Sequence, residues 1–265
     1  MGLRIVVCVK STPKSTNVSV DAATGQPKIA GALLELNPYD EFAVEESVRL
    51  KEKFPDCTIT ALTIGADDAL REAVARGVDD GMQISGAEFE GGDGYATSLA
   101  LSAAIKKLHA DKPVSLVLFG KNTSDVGAGV CGAQTAAWLD WPSATAVMKI
   151  DAIDEKSATV SRSMEDGTDQ VKLTLPACVS TVKELNTPRL PSLKGKMAAK
   201  KATFPKWGAA ELGLAPAQVG AAGAATAVVK AATPAPRAAG VKVEGATSAE
   251  KAHKLVDILI ERKLL

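Results

Sequence analysis

The chain has 265 residues, 46% hydrophobic and 23% charged, the make-up of an ordinary globular protein, which excludes a fibrous or wholly disordered chain. Thirty-one basic residues balance thirty-one acidic ones, so the basic excess of a nucleic-acid binder is missing. Aromatics are 4%, too few for base stacking, and the core must come from Val, Leu, Ile and Ala.

Residues 3–9 (LRIVVCV) form a continuous β-branched run, the pattern of a strand buried on both faces. Residues 13–27 are polar and carry D-A-A-T-G, which reads as a turn or short hairpin. Asn37 then caps a helix reaching Lys53, with Pro38 in its first position and Asp40 and Glu41 complementing its dipole. A second strand, 57–64 (CTITALTI), ends at Gly65. A helix over 67–76 follows, with Gly77 as its C-cap. Residues 81–85 read as a short strand, 91–94 as a glycine-rich turn and 95–110 as an Ala/Leu helix. A fourth strand, 114–119 (VSLVLF), closes at Gly120 and leads to a helix over 132–139.

This alternation predicts an α/β fold with a doubly wound, mostly parallel sheet. From residue 146 the pattern changes to period-two alternation broken by E-D-G at 165–167, which predicts an added antiparallel hairpin at an edge. Residues 176–182 (PACVSTV) return to the main sheet. After 186 the regular pattern stops. Residues 186–201 hold Pro188, Pro191, Arg189 and four lysines, and no carboxylate. Residues 215–246 are rich in Ala, Gly and Pro and read as an extended C-terminal arm. Residues 248–262 resume a helical pattern with Leu255, Ile258 and Leu259 apolar. An arm so poor in large side chains gains little from ordering by itself, so a partner surface is expected beneath it. Three parts are therefore expected: a nucleotide-binding α/β domain over 1–185, a partner-recognition loop over 186–201, and an arm and helix over 202–265.

Cys8, Cys57, Cys131 and Cys178 lie far apart without a C-x-x-C, and read as small thiols of a reducing compartment. His109 and His253 share no metal-ligand spacing and are expected at the surface. Residues 1–10 are too short and strand-like for a signal peptide, and no run reaches ~18 apolar residues, so the expected compartment is the cytoplasm. The segment after the fourth strand, G-K-N-T-S-D-V-G-A-G-V-C-G-A at 120–133, contains G-x-G-x-x-G literally. It follows the fourth strand rather than the first, with seven residues between Phe119 and Gly127, so it is not a dinucleotide fingerprint. Its ingredients remain those of a phosphate site: glycines and small donors before a helix, beyond the carboxyl end of a parallel strand. A Walker loop, a nucleophile elbow and an H-E-x-x-H pattern are all missing from the sequence. The residues describe a nucleotide binder without catalytic residues.

V-C-V-K at 7–10, L-N-P-Y-D-E-F-A-V-E-E-S-V-R-L-K-E-K at 36–53, G-K-N-T-S-D at 120–125 and D-W-P at 140–142 resemble the β subunits of electron transfer flavoproteins. So do L-P-A-C-V at 175–179, N-T-P-R at 186–189 and S-L-K-G-K-M-A-A-K-K at 192–201. The resemblance implies an adenine-nucleotide α-hydrolase-like sheet and a heterodimer with an α subunit that holds a redox FAD. It implies electrons carried from acyl-CoA dehydrogenases of fatty acid β-oxidation to a quinone oxidoreductase. In such β subunits the nucleotide is AMP with a structural role, or a second FAD in electron-bifurcating members that oxidise NADH. The nucleotide contacts of the family map here to Cys8, Asn37, Pro38, Tyr39, Asp40 and Ile64. They continue through Gly120, Lys121, Asn122, Thr123, Ser124, Asp125, Val126, Gly127, Ala128, Gly129, Val130 and Cys131. Leu193 maps to the anchor that docks on dehydrogenases, flanked by Lys194 and Lys196. Val130 and Cys131 depart from the Gln or Asn that many relatives carry before the glycine, whereas Gly132-Ala133-Gln134-Thr135 resembles the AMP type. The wording of the recognition loop also occurs in bifurcating relatives. A stand-alone ATP-dependent enzyme of the same fold would need a phosphate loop after the first strand, where 10–13 offer only K-S-T-P.

Overall fold

The computed structural model describes residues 2–14, 19–21, 24, 27–29, 31–229, 237 and 239–265. β1 (Arg4–Cys8) is buried along its whole length. β2 (Ser11–Pro13) pairs antiparallel with β5 (Leu34–Leu36), and β3 (Ser19–Val20) with β4 (Pro27–Lys28), forming the expected hairpin region. Most of D-A-A-T-G within it lies outside the described residues. α1 (Asp40–Lys53), β6 (Thr58–Ile64), α2 (Asp68–Arg76), β7 (Asp80–Ile84) and α3 (Gly94–Asp111) follow. Next come β8 (Leu116–Gly120), α4 (Cys131–Leu139), β9 (Ser143–Ile153), β10 (Ser157–Ser163), β11 (Thr168–Thr174) and β12 (Ala177–Thr181). The chain closes with α5 (Leu193–Lys201), β13 (Lys206–Trp207), α6 (Gly220–Gly223) and α7 (Ser248–Glu261).

Among the described residues the main sheet has nine strands in the order β11-β10-β9-β12-β8-β1-β6-β7-β13. Those from β9 to β13 run parallel, and β10 and β11 add an antiparallel hairpin at one edge. The predicted E-D-G turn joins β10 to β11, with the Met164 N–H donating to the Gly167 carbonyl. β12 returns to the sheet as expected, entering between β8 and β9.

The two faces of β1 explain its unbroken apolar run. Ile5 and Val7 pack with Val44 and Val48 of α1 and Leu70 of α2. Val6 and Cys8 pack with Leu101 and Ile105 of α3 and Ala136 of α4. Each such side chain, fully buried, contributes roughly 1.5–3 kcal/mol. Helices thus cover both faces of the parallel strands. Gly77 closes α2 at φ 118, the left-handed C-cap the sequence predicts.

The structure departs from the sequence reading at four places. Asn37 does not cap α1; Tyr39 occupies that position without a side-chain bond, because the Asn37 amide is spent on a distant loop. Residues 193–201 are a helix rather than a loop. Ser192 caps it by accepting the Gly195 N–H, and it packs on α2 through Ala199. The segment 204–226 belongs to the α/β domain instead of the arm: β13 extends the sheet beside β7, and Val219 is buried. His109 is half-buried, its Nδ1 accepting the Val114 N–H at 3.1 Å, while His253 is exposed as expected. Cys8, Cys57 and Cys178 are buried free thiols. Among the described residues no helix is long and apolar enough to cross a membrane.

Candidate functional site

A cavity of about 310 Å3 opens at the carboxyl ends of β1, β6 and β8, the edge at which open parallel sheets bind ligands. Two helices, α3 and α4, begin at its wall. Their N-termini present first-turn backbone N–H groups and the positive ends of the helix dipoles, a setting that favours an anion.

Asn37 braces the long loop between β8 and α4. Its Nδ2 donates to the Asn122 carbonyl at 2.8 Å, and its Oδ1 accepts the Ser124 N–H at 3.1 Å. Its own N–H donates to the Lys10 carbonyl. Ser124 Oγ donates to Thr12 Oγ1 at 3.2 Å. The same loop is shaped by glycine. Gly127 and Gly129 have φ of 76° and 65°, a region that costs other residues ~1–2 kcal/mol. Gly120 is required by proximity: a Cβ there would lie 2.6 Å from the Tyr39 carbonyl carbon and 2.7 Å from its oxygen.

Asp40 is buried at the cavity floor. Its Oδ2 accepts the Lys10 N–H at 2.9 Å. Burial pushes its carboxyl from the ordinary 3.8 up to about 7, against hydrogen bonds from Asn37, Lys10 and Gly120 that favour the charged form. Lys10 Nζ, beside the cavity, is paired with Asp125 Oδ2 at 2.6 Å. Burial would raise the Asp125 carboxyl, but its bonds to Lys10 hold it below the usual range. Cys131, the first residue of α4, has its thiol raised to about 11, mainly by burial. Cys8 is raised for the same first reason. Neither is poised as a nucleophile.

Of the residues expected at the site, Cys8, Asp40 and Ile64 line the cavity, with loop residues 120–123, 126 and 128–131. Pro38 and Tyr39 are exposed and stand outside it, as do the loop residues Ser124, Asp125 and Gly127, and Asn37 braces the loop from beneath α1's start. Sequence reasoning missed the opposite wall, where Phe89, Gly91, Gly92, Asp93, Gly94 and Thr97 face the loop. The signal was present as G-G-D-G directly before a long helix. Asp93 caps α3 by accepting the Ala96 N–H. Its second oxygen accepts Ala225 N–H, Thr226 N–H and Thr226 Oγ1–H, each at 2.9 Å. The far C-terminal segment is thereby tied to the cavity rim. These residues suit a phosphate-bearing nucleotide: two helix N-termini, close backbone approach at the glycines, and Lys10 and Lys121 on the lining.

The profile of the Electron transfer flavoprotein domain matches residues 30–212. The chain belongs to the electron transfer flavoprotein family. Curated relatives resemble it over nearly its full length. The caffeyl-CoA reductase-Etf complex subunit CarD of Acetobacterium woodii is 35% identical over 266 residues, spanning 99% of this chain and 100% of that protein. The electron transfer flavoprotein subunit beta of Megasphaera elsdenii is 34% identical, again over 99% and 100%. Protein FixA of Azotobacter vinelandii is 35% identical over 88% of this chain and 84% of its own length. This electron transfer flavoprotein chain is thus of the β type, the electron-carrier kind of subunit. The family match spans α1, the glycine loop and α5 together.

Proposed function

We propose that this β-type subunit pairs with an α subunit bearing a redox FAD, and that its own cavity holds AMP as a structural nucleotide. The complex then carries electrons from acyl-CoA dehydrogenases to a quinone oxidoreductase. The observation that carries the nucleotide reading is the convergence of two helix N-termini and the close-approach glycines Gly120 and Gly129 on one cavity. At about 310 Å3 it lies at the small end of ligand sites, which favours a mononucleotide. The glycine loop, Lys10 and Lys121 would hold the phosphate, and Cys8, Ile64 and Asp40 the remainder.

A second reading is a flavin dinucleotide in the same place, which would supply a further redox centre and NADH oxidation. It is favoured by an adjoining hollow of about 470 Å3 that shares Ile64 and Phe89 with the cavity. The α-subunit contact is assigned to α7. Leu255, Val256 and Ile260 are exposed on it, as are Leu264 and Leu265 beyond it, and α7 buries no residue of its own. Dehydrogenase docking is assigned to Leu193, 78% exposed beside Lys194 and Lys196.

The test is to denature the purified complex and identify what it releases by mass. One AMP and one FAD per heterodimer support the first reading. Two FAD and no AMP establish the second. No nucleotide beyond the α-subunit FAD refutes both.

A further inference from the structure

The chain leaves β12 and crosses α1 before entering α5. On the way, Asn186 Nδ2 donates to the Phe42 carbonyl and to Glu46 Oε2, both at 3.0 Å. Arg189 then grips the same helix with five hydrogen bonds. Its N–H and Nε donate to Glu45 Oε2 at 3.0 and 2.8 Å, and Nη2 to Glu45 Oε1 at 3.0 Å. Nη1 and Nη2 also reach the two oxygens of Glu52 at 2.6 and 3.1 Å. The Glu45 side chain is 5% exposed. Burial alone would raise its carboxyl, yet the bonds from Arg189 outweigh it and hold it below the usual range.

On the far side, α5 is fixed to α2. Arg71 Nη1 donates to the Ala199 and Ala202 carbonyls at 2.9 and 3.2 Å. Between these two fastenings stand Leu190, 88% exposed, Leu193, and Met197, 58% exposed. A free segment would turn such side chains inward against its own domain. Here the guanidinium fork, which matches two carboxylates at once, fixes the backbone immediately before Leu190 and denies it that retreat.

We infer that Arg189 is a positioning residue: its clamp on Glu45 and Glu52 presets the docking segment, with Leu190 held out as a second apolar anchor beside Leu193. The inference rests on the docking reading given above. The occupant is an apolar pocket with an acidic rim, because residues 186–201 carry four lysines and no carboxylate. Arg49 Nε also stands 3.3 Å from Glu45 Oε1, so the buried carboxylate keeps one cation when Arg189 is replaced, and the variant tests the clamp rather than an orphaned charge.

The test uses the assembled heterodimer with its flavin, comparing wild type with Arg189→Met, Arg189→Lys, Leu190→Ala and Glu52→Gln. Hydrogen exchange over residues 187–196 is read first, because it needs no dehydrogenase. Arg189→Met is expected to exchange roughly tenfold faster there. Its KM for a purified acyl-CoA dehydrogenase should rise by a similar factor at unchanged kcat, the scale of losing a pre-ordered segment. Arg189→Lys should fall between, since one ammonium cannot hold both carboxylates. Leu190→Ala should raise KM without altering exchange. Should Arg189→Met impair assembly, Glu52→Gln keeps Glu45 paired and gives the same signs at smaller size. Wild-type exchange in Arg189→Met, or a lysine variant matching wild type in both readouts, overturns the inference. Faster exchange with an unchanged KM also overturns it, making the clamp structural only. If no acyl-CoA dehydrogenase reduces the wild-type complex, the docking reading fails separately, while exchange still decides the clamp.

Discussion

Asp40→Asn isolates the buried carboxyl of the cavity whose titration the fold shifts to about 7. In the folded chain its carboxyl sits near 7 instead of 3.8 because it is buried. A carboxyl raised in this way is held protonated by the fold, so it is neutral in both states at low pH. As pH rises from about 4 towards 7 the unfolded chain releases this proton and the folded chain does not, and stability falls with each step. Above about 7 the loss is complete and constant. Each tenfold change in proton affinity is worth ~1.4 kcal/mol, so the total is ~4 kcal/mol. Asparagine is nearly isosteric, cannot ionise, and keeps an oxygen for the Lys10 N–H. Relative to wild type, Asp40→Asn should therefore gain ~4 kcal/mol between pH 4 and pH 8. Urea unfolding at a series of pH values checks this, with the slope of the transition compared to confirm that the unfolded states are alike. A difference between the two proteins that stays flat from pH 4 to pH 8 refutes the burial argument. A difference that grows in favour of wild type shows that Asp40 is held as a stabilised anion.

Three further outcomes follow from named contacts. Gly129→Val forces a β-branched residue to φ 65 and sets its Cβ 3.3 Å from the Lys121 carbonyl oxygen. The strain of ~1–2 kcal/mol or more should show as nucleotide lost on gel filtration, and full retention would refute the assignment of this loop. Leu193→Ala should leave the melting temperature unchanged, because the side chain is 78% exposed. It should weaken dehydrogenase binding by ~1–3 kcal/mol; added salt should slow wild-type electron transfer as well, by screening the lysines. A lowered melting temperature with intact transfer would make Leu193 a core residue. Trypsin should cut the isolated chain beyond Thr226, where Arg237 and Lys242 are exposed, and the α subunit should protect those sites. Equal cutting in both states would remove the arm from the interface.

The strands were legible because burial on both faces writes itself as an unbroken run, as in RIVVC and LVLFG. Gly77 and the E-D-G turn were legible because their backbone angles or tightness restrict the residue type. α5 was not, because Gly195 interrupts it and Ala199 is the one residue it buries, so no apolar stripe marks it, and it is fastened by α2. β13 is two residues long and exists only through its pairing with β7. Asn37 was misread for a related reason: a local cap is visible in sequence, whereas a bridge to residues 122 and 124 is not. Half of the cavity was legible through the glycine loop. The wall at Gly91, Gly92 and Asp93 was not, because only the fold brings it opposite that loop.

The position of β12 has a consequence for how the chain is made. β8 and β9 are consecutive strands of the main sheet, yet they never pair; β12 stands between them. While a ribosome has delivered only the first 175 residues, both strands present open edges, and the hairpin carried by β9 has no strand to join it to the rest of the sheet. Emergence of Ala177, Cys178 and Val179 closes the gap, joining Leu116, Val117 and Leu118 on one side and Ser143 and Ala144 on the other. These are pairings across long stretches of chain, the kind that slow folding and lengthen exposure to aggregation. Truncation between β11 and β12, at residue 175 or 176, should therefore yield an insoluble product, even though it would retain the complete glycine loop and both helices that begin at the cavity.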